Sequence, residues 1–181
     1  MKKLETLGER ERAIVEERTR TGYRQERLRR FGGELEPPLR ALVERLLPGV
    51  DGEIDLAAFV DAHADDPMGR GDRAPGIPPV PVLLQRGLEA LAQREFASKS
   101  VEEQEVLIGR MRRGEADDEL GLPAKEFIDR LLSKAVVGYL AHPSTWPRIG
   151  FNGPAYPEGY AWISRGAVAR RHEGFVGADR L

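Results

Sequence analysis

The stretch PAKEFIDRLLSKAVVGYLA, residues 123–141, decides the fold class. Its apolar residues come in pairs four apart: Phe127/Ile128, Leu131/Leu132, Ala135/Val136 and Tyr139/Leu140. That rhythm matches the 3.6-residue turn of an α-helix and lays a broad apolar stripe along one side. Pro123 stands where such a helix starts, because its fixed φ suits the first turn and its missing N–H has no partner to lose there. The spacing predicts a core helix over 123–141 and makes it the expected most buried part of the chain.

Upstream, the same period recurs in weaker form. Ser100 and Glu103 have the spacing of a capping box, which starts a helix ending near Arg113, and the acidic run from Gly114 to Gly121 reads as a loop. A further helix runs from Val82 through Leu84, Leu88 and Leu91 to Phe96. Pro37 and Pro38 open another, with Leu39, Leu42, Val43, Leu46 and Leu47 on its face and Pro48-Gly49 at its end. A short helix carries Leu56, Phe59, Val60 and His63. Residues 65–81 hold five of the thirteen prolines and read as a connection. Residues 4–30 read as one charged helix with a loose stripe of Leu4, Leu7, Ile14, Val15 and Leu28. Glu16/Arg20 and Glu26/Arg30 sit at ion-pair spacing, and Gly32-Gly33 ends the helix.

No run alternates apolar and polar residues between hairpin signals, so no sheet is expected. The expected fold is all-α: a single irregular helical domain of about four to six helices with a Pro/Gly/aromatic-rich C-terminal loop region. Its expected segments are a charged N-terminal helix over 1–33, the helical domain over 34–163 and a polar tail over 164–181.

Composition narrows the function classes. The 181 residues are 40% hydrophobic and 32% charged, with a formal net charge of −2, so no global field draws the chain to nucleic acid or an anionic membrane. The absence of cysteine removes disulfides, thiolate metal sites and a thiol nucleophile. Behind Met1, Lys2 and Lys3 the sequence runs through Glu5, Glu9, Arg10, Glu11 and Arg12 rather than an apolar signal core, so a cytoplasmic location is expected. The longest apolar run, near Ala135–Ala141, falls well short of the roughly 20 residues of a membrane span, and no direct membrane insertion is expected.

Catalytic motifs are missing. Neither the glycine fingerprint of dinucleotide folds nor a phosphate loop occurs. The run VDGEID, residues 50–55, has part of a calcium loop, but its register puts Leu47 and Ala58 where the first and twelfth ligands belong. His63, His142 and His172 have no metal-ligand spacing. His63 and His142 read as helix-end residues; as a general base, His142 needs a pocket and a partner acid. The cluster Arg24, Arg27, Arg29 and Arg30 is interrupted by glutamate and lacks aromatics, so it reads as a solvated face or a dock for an acidic partner rather than a nucleic-acid arm.

The densest information lies in YLAHPSTWPRIGFNGPAYPEGYAW, residues 139–162, whose six aromatics are half of the chain's twelve. Pro143, Pro147, Pro154 and Pro157 forbid a helix, and Gly150, Gly153 and Gly159 permit tight turns, so a stiff loop displays Trp146, Phe151, Tyr156, Tyr160 and Trp162. Such residues either anchor an interface or fold back over the chain's own core.

A core helix running into Gly138-Tyr-Leu-x-His-Pro143, then Trp146-x-x-Ile-Gly-Phe-x-Gly-Pro154 and Tyr156-Pro-x-Gly-Tyr160, resembles the C-terminal signature of the gluconate 2-dehydrogenase subunit 3 family. The resemblance extends over roughly residues 22–163 by helix order and spacing. It implies a small helical, non-catalytic subunit that binds, stabilises or helps mature a large FAD-dependent sugar or sugar-acid oxidoreductase of the glucose–methanol–choline type. The FAD and the catalytic histidine are then expected on that partner, with no catalytic, cofactor or metal site on this chain. Family members that carry a twin-arginine signal help take the large subunit across the membrane; here a periplasmic location requires the partner to supply that address. The resemblance assigns Tyr139, His142, Trp146, Ile149, Gly150, Phe151, Gly153, Pro154, Tyr156, Gly159 and Tyr160 to the partner interface, with Gly138, Pro143 and Pro157 as accompanying fold and interface residues. Read without the resemblance, the same aromatics suit a stand-alone sugar-binding protein or enzyme in which His142, Trp146 and Tyr156 line a pocket.

Overall fold

A computed structural model of the protein describes residues 8–50, 52–65 and 75–151. Seven α-helices occur among them: α1 (Glu9–Thr21), α2 (Glu36–Leu46), α3 (Leu56–Ala62), α4 (Val80–Gln93), α5 (Val101–Arg113), α6 (Asp117–Leu120) and α7 (Ala124–Ala141). Single 3₁₀ turns lie at Gly33–Leu35, Phe96–Ser98 and Pro143–Thr145. No strand appears among the described residues, and the fold is all-α as the periodicity predicts. The helix beyond the expected number is α6, inside the acidic run read as a loop. The Asp117 carboxylate accepts the Ala124 N–H at 2.9 Å, joining the start of α6 to the start of α7.

The chain divides into two compact units, Thr21–His142 and a second unit made of Met1–Arg20 with Pro143–Leu181. In the first, α7 packs against α3, α4 and α5, and α2 against α3 and α4. Leu39 and Leu42 of α2, Leu84 and Leu88 of α4, Met111 of α5 and Phe127 and Leu131 of α7 are fully enclosed. Two glycines set the helix spacing. A Cβ on Gly87 of α4 would lie 2.3 Å from the Phe127 ring, and one on Gly138 of α7 would lie 2.6 Å from the Phe59 ring of α3.

Local signals are realised where they are strongest. The Ser100 hydroxyl accepts the Glu103 N–H at 3.2 Å and the Glu103 carboxylate accepts the Ser100 N–H at 2.9 Å, completing the capping box of α5. At the start of α3, the Asp55 carboxylate accepts the Ala58 N–H at 2.9 Å and also pairs with Arg40 of α2 at 3.0 Å. The expectation that 123–141 is the most buried stretch is corrected. All of Leu56–Asp61 in α3 is buried, whereas α7 leaves Val137 and Leu140 exposed. A short helix packed against both α2 and α7 has little surface left, while an eighteen-residue one keeps a solvent side.

The largest departure concerns the N-terminal segment. The helix expected over 4–30 ends at Thr21, because Gly22 and Tyr23 both take left-handed backbone angles, φ +57° and +65°. Gly22 is pressed against the backbone of Glu53, whose carbonyl oxygen a Cβ would meet at 1.8 Å, and its own carbonyl accepts the Asp55 N–H at 2.7 Å. Only glycine fits there. The expected Glu16/Arg20 and Glu26/Arg30 pairs are replaced: Arg20 bonds Glu17 at 2.7 Å, and Arg30 pairs with Asp65.

Residues 22–32 are irregular, yet Leu28 and Phe31 belong to the core, so this part of the expected 1–33 helix joins the Thr21–His142 unit. One side chain holds it. Asp61, 4% exposed, accepts the N–H of Arg29 on Oδ2 at 2.8 Å and those of Arg30 and Phe31 on Oδ1 at 2.8 and 2.7 Å. Gln25 adds a bond from Nε2 to the Ala58 carbonyl at 3.0 Å.

Asp61→Ala strands three N–H donors and is expected to destabilise the protein by about 3 kcal/mol or more. Asp61→Asn keeps an acceptor on one side only and is expected to fall between wild type and alanine. Urea denaturation of the purified chain, followed by far-UV circular dichroism, measures both.

Candidate partner interface

The signature residues divide between the two units. In Thr21–His142, the C-terminal end of α7 carries Gly138, Tyr139 and His142. The Gly138 carbonyl accepts the Tyr23 hydroxyl at 3.1 Å, and Tyr139 packs partly buried against the core. The Tyr23 ring is 4.9 Å from Phe59 and 5.3 Å from His142, the latter edge-on at 76°. Phe59 in turn stacks on His63 at 4.0 Å. His63 donates from Nδ1 to the Phe59 carbonyl at 2.9 Å, and Lys134 donates from Nζ to the His63 carbonyl at 2.6 Å. Four rings therefore form a continuous cluster joining the ends of α3 and α7 to residue 23.

His142 caps α7 and is 1% exposed. Its ring packs edge-on against Tyr23, so in the free chain the imidazole serves as a packing element. The same burial denies it the substrate access that a general base needs. His63 lies at the C-terminal end of α3, the helix-end place its sequence context predicts. Among the described residues no group of three or more His, Asp or Glu is disposed to hold a metal.

The other unit contains the turn 143–151. Its backbone closes on itself: Trp146 N–H to Pro143 O at 3.3 Å, Arg148 to Thr145 at 3.0 Å, Gly150 to Pro147 at 3.4 Å and Phe151 to Trp146 at 2.9 Å. Gly150 has φ +69°, a conformation that glycine adopts without strain. The tightness of the turn brings Trp146 and Phe151 edge-to-face at 5.3 Å and 89°. Phe151 and Ile149 remain 45% and 46% exposed. This is a stiff apolar knob with a half-buried tryptophan at its base, and its chemistry suits binding. The remaining assigned residues, Gly153, Pro154, Tyr156, Gly159 and Tyr160, lie outside the described residues, as do Asp51, Pro157, Trp162, His172 and the 164–181 tail.

Comparison with protein families matches residues 36–153 to gluconate 2-dehydrogenase subunit 3. The chain belongs to the gluconate 2-dehydrogenase subunit 3 family. That family is one of subunits of a dehydrogenase, which implies a partner chain. No curated protein and no solved structure matches the chain. The matched segment takes in α2 through α7, the whole of the turn 143–151 and Phe59, His63 and Lys134.

Sequence reasoning singled out Gly138 and His142 but missed their partners. Tyr23 gave no signal, being one aromatic in a charged stretch, and Phe59 looked like any core residue of a short helix. Gly138→Ala forces a methyl into the Phe59 ring and is expected to cost roughly 1–3 kcal/mol. Tyr23→Phe removes one hydrogen bond while keeping the ring and is expected to cost about 1 kcal/mol. Melting curves of the two variants beside wild type check the ranking.

Proposed function

We propose that this subunit is non-catalytic and binds a large FAD-dependent sugar or sugar-acid oxidoreductase, stabilising it or helping it mature. The observation that carries the reading is the turn 143–151, which exposes Ile149 and Phe151 on a hydrogen-bonded backbone within the family segment. Ile149 and Phe151 stand two positions apart on a backbone already closed by hydrogen bonds, and an interface gains preorganised anchors from such a support. The flavin and the reacting groups belong to the partner in this reading, and the small subunit acts by covering partner surface.

Two measurements test this. Co-expressed with the FAD-dependent glucose–methanol–choline type oxidoreductase of its own source, the subunit is expected to co-purify as a yellow complex, and expressed alone it is expected to be colourless. Stoichiometric flavin on the isolated chain, or a sugar binding to it alone, favours the stand-alone reading instead.

The turn itself is tested by Trp146→Ala and Phe151→Ala. Each is expected to weaken the complex by about 2 kcal/mol or more, the range of buried aromatic anchors. Phe151→Ala leaves the melting temperature of the free subunit near wild type, since that ring is half in water already. If both variants bind the flavoprotein normally, the turn is not the interface.

A further inference from the structure

The segment Arg24–Arg30 combines charge with rigidity in a way that the fold alone does not require. It holds four arginines against one glutamate, Glu26, a net of +3. In the Thr21–His142 unit many arginines meet an acidic side chain: Arg40 pairs with Glu36 and Asp55, Arg110 with Glu119, Arg113 with Glu115 and Arg130 with Glu126. Within the segment, Arg24 donates to the Gly52 carbonyl and Arg30 pairs with Asp65. Arg27 and Arg29 are exposed, and neither side chain has a hydrogen bond or an ion pair among the described residues.

The backbone next to Arg27 and at Arg29 is anchored. Leu28, between them, is buried in the core, and the N–H groups of Arg29, Arg30 and Phe31 are held by Asp61. Two guanidinium groups are therefore carried outward on either side of an anchored leucine. Binding through them costs side-chain ordering but little backbone ordering. A guanidinium presents a planar fork that fits a carboxylate through two parallel hydrogen bonds, and arginine is enriched at interfaces for that reason.

We propose that Arg27 and Arg29 form a second docking surface of this subunit, and that what they bind is an acidic patch on the large oxidoreductase subunit. The inference rests on the subunit reading above and adds to it an electrostatic contact separate from the aromatic turn. Opposed charge at this surface steers the two chains together and makes their association dependent on ionic strength.

The test measures the affinity of the purified subunit for the purified flavoprotein at low and at raised salt. It compares wild type, the double variant Arg27→Ala/Arg29→Ala, the control Arg86→Ala/Arg112→Ala, whose two arginines are also exposed, and Phe151→Ala. The expected result is roughly ten-fold weaker binding by the first double variant at low salt, a flatter salt dependence and an unchanged melting temperature of the free chain. Arg27→Lys/Arg29→Lys is expected to recover part of the loss, since it keeps the charge without the fork. Wild-type affinity and salt dependence in the folded double variant, with Phe151→Ala still impaired, overturns the second surface and leaves the subunit reading standing. An equal loss in the control variant overturns it too, as a general effect of charge. If wild-type chain fails to bind the flavoprotein at all, the subunit reading falls and this inference falls with it.

Discussion

A buried carboxyl group holds the irregular segment 22–32 of this fold in place. Asp61 is buried on α3, six of whose seven residues are buried, and both of its oxygens are committed to the backbone N–H groups of residues 29–31. A polar side chain in such a place is tolerable only if its acceptors are met, and three converging N–H donors meet them. In return the chain can run from Gly22 to Gly32 without helix or strand. That freedom lets Leu28 and Phe31 reach the core and Tyr23 reach the end of α7, placements that a continuous helix over 4–30 could not provide.

The helices themselves are spaced by contacts between glycine and aromatic rings. Phe127 lies on Gly87 and Phe59 lies on Gly138, so α7 approaches α4 at one place and α3 at another more closely than any side chain would allow. The second contact bears on how the family signature is read. Gly138 is needed because a ring occupies the place of its Cβ, and His142 because its imidazole completes the ring cluster with Tyr23. Gly138 and His142 make packing contacts within the fold, whereas Ile149 and Phe151, a few positions later, are about half exposed.

A division of this kind is consistent with the binding role proposed above. The interior is tightly packed, and Ile149, Phe151 and Arg29, among the side chains left outside, sit on backbone fixed by hydrogen bonds: the turn 143–151 by its own ladder, Arg29 by Asp61. Preorganisation lowers the entropy that association must overcome, so a small surface can bind more tightly than its area suggests.

The sequence by itself determined the class of the fold and most of its helices, because the signals for these are local. The four-residue rhythm of 127–140, the capping box at Ser100 and Glu103 and the prolines that open α2 each act within one or two turns of backbone, and each is realised. It also determined that a stiff loop follows α7, since proline fixes its own φ and glycine permits the positive φ that a tight turn needs. Tertiary structure alone decided where the first helix stops, which side of α7 meets water and what Asp61 and Tyr23 do. Asp61 bonds to residues 30 to 32 positions away, and Tyr23 to one 115 positions away. At that distance nothing in the residue type marks the partner. A charged residue at the end of a short helix, or a tyrosine among arginines, takes on its role only when the packing of other elements encloses it and supplies the donors or rings that it meets.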